Sequence, residues 1–217
     1  MLRLLKVIML SMLFSLTACQ FMEPRPEQLS VVPQLGESYY TQVTLMYEND
    51  VYSTTNYRRG TLLEVNTAVE LLEIEPKMIK VKILQSNREL LIKTESLIEN
   101  IAQYTSDDAY QAFAKLFAQQ EVDLSRFNQQ ERDNIKKGTV AKGMSKAAVK
   151  IAIGYPSIVR TPSLDSNKWT YWRSPANSFV VHFENDQVIR IQPKIHGFYE
   201  GISSGREYLL TASPYYA

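Results

Sequence analysis

Gly143-Met144-Ser145-Lys146-Ala147-Ala148-Val149-Lys150-Ile151-Ala152-Ile153-Gly154-Tyr155-Pro156 holds a cap, a helix and a stop signal in order. Ser145 can accept from the unpaired amides of a first helical turn. Gly154 offers a left-handed cap, and Pro156 cannot continue a helix. Three strand-like runs follow, Lys168 to Arg173, Phe179 to Glu184 and Gln187 to Ile191, separated by Ser174-Pro175-Ala176-Asn177-Ser178 and by Asn185-Asp186. Turns this short between such runs predict an antiparallel meander. The stretch from Gly138 to Gln192 therefore reads as helix and three-stranded sheet, the unit around which the chain is organised.

The string Gly143-Met144-Ser145-Lys146 with Val149, then Gly154-Tyr155-Pro156, Trp169 with Tyr171, Val181-His182-Phe183, and Asp186 with Val188 resembles the SmpA/OmlA domain, the family of BamE-type outer-membrane assembly lipoproteins. The resemblance covers about a quarter of the chain. It implies a small two-layer domain, helices on a three-stranded sheet, that binds other envelope proteins, an outer-membrane assembly complex among them, and performs no chemistry.

Residues 1–18 read as an export signal. Arg3 and Lys6 form a positive start, Val7 to Leu16 form an apolar core, and Leu16-Thr17-Ala18-Cys19 closes it. The apolar run is too short to span a bilayer of roughly 30 Å as a helix. Leu-Thr-Ala-Cys resembles the bacterial lipobox, in which the cysteine is acylated and becomes the new amino terminus. Cys19 is the only cysteine of the chain, so no internal disulfide can form. Several acyl chains make a stable anchor where one would be marginal. Gln20, in place of aspartate, resembles the sorting signal for the outer membrane, which implies a lipid-anchored envelope protein facing the periplasm. Residues 19–37, with Pro24, Pro26 and Pro33 and no periodic pattern, read as a lipidated tether. The eighteen residues from 20 to 37 reach about 25 Å as coil, and about 60 Å when stretched.

From Tyr39 to Leu97 the signals are β. Thr41 to Tyr47 alternates, Glu48-Asn49-Asp50 turns, Val51 to Tyr57 continues, and Arg58-Arg59-Gly60 punctuates. Thr61 to Val65, Val69 to Ile74, Ile79 to Ile83 and Glu89 to Ile92 add further strands. Short strands at close spacing predict a small barrel or sandwich over residues 38–100. The Gly-Thr-Leu-Leu-x-Val pattern at Gly60 resembles bacterial SH3-like domains, without the Arg-Ser-Gly-Pro and Gly-Trp signatures of the wall-binding members.

Residues 101–193 read as a helical connector followed by the SmpA/OmlA-like domain. Ser106 with Asp107 and Asp108 suits a helix start, and Asn128 with Glu131 three residues on frames a second helix that Gly138 ends. Tyr110, Phe113, Phe117 and Phe127, at helical spacing, are expected to be core. Arg58-Arg59 and Lys136-Lys137 read as solvated charges. The end, residues 194–217, is rich in Gly and Tyr and is expected to pack within the chain. The predicted class is thus α+β: a small N-terminal β-barrel or SH3-like module, a helical connector, then helices on a three-stranded antiparallel sheet.

Chemistry is sparse. The chain has two histidines, His182 and His196, and neither a Gly-x-Ser-x-Gly elbow nor a phosphate loop. No catalytic residue, cofactor or metal ligand set is predicted. The net charge is +1, and the expected loss of Arg3 and Lys6 with no acid brings it to −1, far from the basic balance of a nucleic-acid binder. The strongest binding signal is Trp169, Tyr171 and Trp172. Neighbours on a strand alternate, which places Trp169 and Tyr171 together and Trp172 opposite, expected outward as a partner-binding residue. The reading is an envelope lipoprotein that binds other envelope proteins as a scaffold or assembly accessory. A peptidoglycan- or peptide-binding SH3-like module and an inhibitor-like binding protein are the alternatives. Cys19→Ser is expected to abolish metabolic lipid labelling and to release the chain from membranes. Unchanged fractionation, with no lipid on the wild type by mass spectrometry, would contradict the anchor.

Overall fold

The computed structural model describes residues 32–53, 58–94, 107–158, 160–174 and 177–195. The expected signal segment, Cys19, most of the expected tether, residues 95–106 and the end from His196 lie outside them. Among the described residues the chain is mixed α and β, with three helices, a curled six-stranded sheet, a two-stranded ribbon and a three-stranded antiparallel sheet.

The first half builds β1 (Ser38–Thr41), β2 (Leu45–Tyr47), β3 (Val51–Ser53), β4 (Thr61–Leu63), β5 (Ala68–Glu75), β6 (Met78–Ile83) and β7 (Arg88–Lys93). Alternation decides most of them: in β6, Ile79, Val81 and Ile83 are buried while Lys80 and Lys82 turn outward to Glu73 and Glu70. Asn49 and Asp50 both take left-handed φ values, 51° and 58°, the backbone of a two-residue hairpin whose twist matches its strands. The run Thr41 to Tyr47, expected as one strand, breaks at residues 42–44. There the Gln42 amide donates to Leu116 O and the Thr44 amide to Ile151 O, so the backbone leaves its sheet to meet helix ends. At the end of the expected tether, the Gly36 amide already bonds Leu71 O at 2.7 Å.

Helix α1 (Ala109–Leu116) and strand β8 (Phe117–Ala118), which the sequence places in the connector, join this first core. Phe117 and Ala118 pair with β1, and Phe113 packs edge-on against Tyr39 at 4.9 Å. The cap of α1 is Asp108 rather than Ser106. Asp108 accepts from the Gln111 amide while Gln111 reaches back to the Asp108 amide, and Asp107 is left to pair with Lys115. Of the four expected core aromatics, Phe113, Phe117 and Phe127 are buried and Tyr110 is exposed.

The second half packs α2 (Gln129–Lys137) and α3 (Lys146–Ile153) with the sheet of β9 (Lys168–Ser174), β10 (Asn177–Glu184) and β11 (Gln187–Ile195), ordered β11-β10-β9 as a meander. Asn128 caps α2 in a reciprocal box with Glu131, and Ser145 caps α3 by accepting from the Ala148 amide. Gly154 ends α3 at φ 76° and ψ −170°, an extended exit rather than the expected left-handed cap. The Gly143-Met144-Ser145 run also pairs with the start of β11: Gly143 donates to Val188 O, and Val188 to Met144 O.

One carboxylate and one guanidinium bracket α2 and α3. Glu131 Oε2 accepts from the Asn128 amide, and its Oε1 accepts from both the amide and the hydroxyl of Ser145 at 2.8 and 2.7 Å, so it serves both helix starts. At the other ends, Arg58 Nη2 donates to Gly138 O at 3.0 Å and Nη1 to Ile153 O at 3.1 Å. Thr44 Oγ1 donates to Ile135 O, and Tyr171 Oη to Gly154 O. Arg58, expected in solvent, is enclosed, and burial pushes its pKa down to about 10, opposed by Tyr52 and Tyr171. It remains a cation at neutral pH. Gly138 is in the left-handed region at φ 62°, and a Cβ there would come within 2.7 Å of Leu62 Cδ1 and 3.0 Å of Arg58 Nη2, so only glycine lets the helix end this close to the ribbon.

Hydrogen bonds from a charged donor contribute about 1.5–3 kcal/mol each. Arg58→Met is therefore expected to cost about 3 kcal/mol or more in urea unfolding, while Arg59→Met, whose side chain is 58% exposed, changes stability by about 0.5 kcal/mol or less. Burial alone would raise the pKa of Glu131, but the Ser145 and Asn128 hydrogen bonds outweigh it and hold the pKa below the ordinary 4.5. The carboxylate thus stabilises the fold fully above pH 4.5, and that contribution is lost as pH falls through the depressed folded value. Glu131→Gln should flatten the acid limb of a stability-versus-pH curve. A limb of unchanged slope would place the acid sensitivity elsewhere.

Candidate functional site

The three-stranded sheet has two faces of opposite character, set by strand alternation and two irregularities. Trp169, Tyr171, Phe179, Val181, Phe183 and Val188 turn toward α2 and α3, with Tyr171 stacked on Phe179 at 5.5 Å and Trp169 edge-on to Phe183 at 4.8 Å. The pairing Ser178↔Trp172 is followed by Asn177↔Ser174, leaving Arg173 as an unopposed bulge residue, and Ile189 is bulged between His182↔Arg190 and Phe183↔Val188. The second bulge turns Ile189 outward, where it is 44% exposed, and brings Arg190 opposite His182.

The other face carries Lys168, Thr170 and Trp172 from β9, Ser178, Val180 and His182 from β10, and Arg190, Gln192 and Lys194 from β11. Lys168, Arg190 and Lys194 are exposed cations, and Glu184, on the same face beside the hairpin, is exposed too. His182 Nε2 lies 3.1 Å from Gln192 Oε1 and 3.3 Å from Arg190 Nη2. Burial lowers the His182 pKa first, with Arg190, Lys168 and Lys194 adding to the effect against the Gln192 hydrogen bond, so the ring is neutral at pH 7. An anion docked here would favour the imidazolium, and its affinity would rise as pH falls through the His182 pKa of the complex.

The predicted aromatic triplet is distributed differently from its expected use. Trp169 and Tyr171, 2% and 0% exposed, belong to the core and cannot meet a partner. Trp172 does face away from them, but it is 5% exposed rather than open, and Val180 and Ser178 beside it are 4% exposed. The outward residues available to a partner are polar: Lys168, His182 and Arg190 in one cross-strand row, and Lys194 further along β11 opposite Ser178. Single-sequence reading passed over these residues because each is an ordinary charge on its own strand. Only the cross-strand register makes them neighbours. The edge of β9 is likewise covered, since the Arg58 amide donates to Trp172 O and the Ser157 amide to Thr170 O. Cys19, the predicted lipid attachment, lies outside the described residues. Among the described residues no group of three or more His, Cys, Asp or Glu is placed to hold a metal ion.

No family model, curated protein or solved structure matches the chain.

Trp172→Ala is expected to act on folding: emptying a buried indole site costs about 3–5 kcal/mol and lowers the midpoint of thermal unfolding. Lys168→Ala on the same strand should leave the melting curve nearly unchanged. A benign Trp172→Ala would return this side chain to the binding surface.

Proposed function

We propose that this chain is a lipid-anchored envelope protein that acts by binding other envelope proteins, as a scaffold or assembly accessory, and not by catalysis. In this reading Cys19 carries the lipid, residues 19–37 hold the folded part off the membrane, and the outer face of the meander receives the partner. The observation that carries it is the row Lys168, His182 and Arg190 across β9, β10 and β11, with Lys194 further along β11 opposite Ser178, which favours a partner surface rich in carboxylates. The SmpA/OmlA-like string adds support, since helices on a three-stranded sheet are what that resemblance implies. The finer reading of the first half as an SH3-like barrel belongs here too. Its support is the curled sheet of short strands and the Gly60 pattern. The outer membrane, with the chain facing the periplasm, is the location that goes with Gln20.

The test is site-specific photo-crosslinking of the full lipidated chain in intact envelopes. A crosslinker at position 168 or 190 is expected to capture a discrete envelope protein that a crosslinker at Glu89, on the first sheet, does not. Arg190→Glu should abolish that capture, and capture should strengthen as pH falls below the ordinary histidine value of 6.5. Equal capture from both sheets, or capture indifferent to charge reversal, would sink the assignment of the surface. Retention on purified peptidoglycan would favour the wall-binding reading in its place.

A further inference from the structure

Away from the outer sheet face, a cleft of about 380 Å³ opens between α1 and α3, roofed by the segment from Val122 to Arg126. Val43, Val122 and Ile151 are apolar residues of its lining, and Lys115, Arg126 and Lys150 are cations of it. The ammonium groups of Lys115 and Lys150 lie over one ring, Tyr155, at 5.5 and 5.3 Å from its centre. Lys115 pairs with Asp107. Asp123 is the carboxylate lining the cleft, and its Oδ1 already accepts the amide and hydroxyl of Ser125. Lys150, half-buried, has no carboxylate partner among the described residues, whereas Arg126, exposed and stacked on Phe127 at 4.8 Å, lies within electrostatic reach of the Asp123 carboxylate. Burial first, and the nearby Arg126 second, push the Lys150 pKa down.

Like charges drawn together in one cleft raise the free energy of the empty site, and an anion that enters relieves it. Asp123 partly balances Arg126, while Lys150 remains without a carboxylate partner among the described residues. A group with several acceptor oxygens answers more than one cation at once, which a single carboxylate does less well. We propose that this cleft binds the phosphoryl group of a small phosphate ester, with Lys115, Arg126 and Lys150 on the phosphate oxygens and the short carbon portion against Val43 and Ile151. The same chemistry is offered by a soluble glycerol phosphate and by the headgroup of an anionic phospholipid. The cleft shares no residue with the outer sheet face, so the proposal does not depend on the partner reading.

The test uses the full chain in an uncharged detergent, titrated with inorganic phosphate, with glycerol phosphate, and with mixed micelles containing phosphatidylglycerol, while the amide resonances of Ala147, Lys150 and Ile151 are followed. A saturable shift is expected that chloride at equal ionic strength does not produce. Lys150→Gln and Arg126→Gln should each weaken it by about tenfold, with thermal unfolding unchanged. Response to the free phosphates supports the proposal with a soluble ligand. Response to phosphatidylglycerol micelles alone, lost in the same variants, supports it with a lipid headgroup. No saturable response to any of the three, or one that survives both substitutions, overturns it.

Discussion

The second half of this protein depends on how the ends of two short helices are satisfied. Helices of eight and nine residues leave a large share of their amides and carbonyls without intrahelical partners. α2 and α3 also point the same way, since their starts meet at Glu131 and their ends meet at Arg58, and parallel dipoles side by side repel. A carboxylate at the two positive ends and a guanidinium at the two negative ends turn that repulsion into attraction. Thr44 and Tyr171 take carbonyls of the same helix ends that Arg58 leaves. Arg58 and Thr44 come from the first half of the chain, so these two helices are completed by residues far away in sequence.

The same contacts explain why the two hydrophobic clusters do not simply lie side by side. The first gathers the curled sheet and α1, and the second gathers α2, α3 and the inner face of the meander. Between them run polar bonds: Thr44 to both helices, Arg58 to two carbonyls, and the Arg58 amide to β9. Buried polar bonds of this kind demand one geometry, because a small slip would leave a charge and several carbonyls unpaired in a low dielectric. Apolar contact alone would tolerate sliding. The cleft beside Tyr155 lies between α1 of the first cluster and α3 of the second, and its cations come from both sides and from the segment that joins them.

The meander shows how a bulge converts sequence into a surface. In a regular strand Val188 and Arg190, two residues apart, would share a face; the bulge at Ile189 carries Val188 to the core and Arg190 to the outer face beside His182. The result is one dry face of stacked aromatics and one polar face with three cations around a neutral imidazole. Pro193 falls in β11, at the sheet edge, where its missing amide removes no ladder bond that a central strand would need.

Local signals in the sequence were enough for most of the elements, though not for the break of Thr41 to Tyr47 or for β8. Caps at Asn128 and Ser145, stops at Gly138 and Gly154, hairpin turns at Asn49-Asp50 and Asn185-Asp186, and the alternation of β6 are all properties of a few adjacent residues, and each came out as read apart from the backbone angle of Gly154. The meander order followed as well, because turns of this length leave antiparallel neighbours little alternative. What the tertiary structure decided was the destination of side chains whose partners are distant. Arg58 looks like Arg59 to any local reading, yet one holds two helix ends and the other faces water, because only the fold brings Gly138 and Ile153 to residue 58. Trp172 has the parity of a surface residue and the exposure of a core one. Alternation reports which face a side chain takes and carries no information on what covers that face, and for the same reason Lys115, Arg126 and Lys150 could not be seen as one cluster until α1 and α3 were placed on either side of Tyr155.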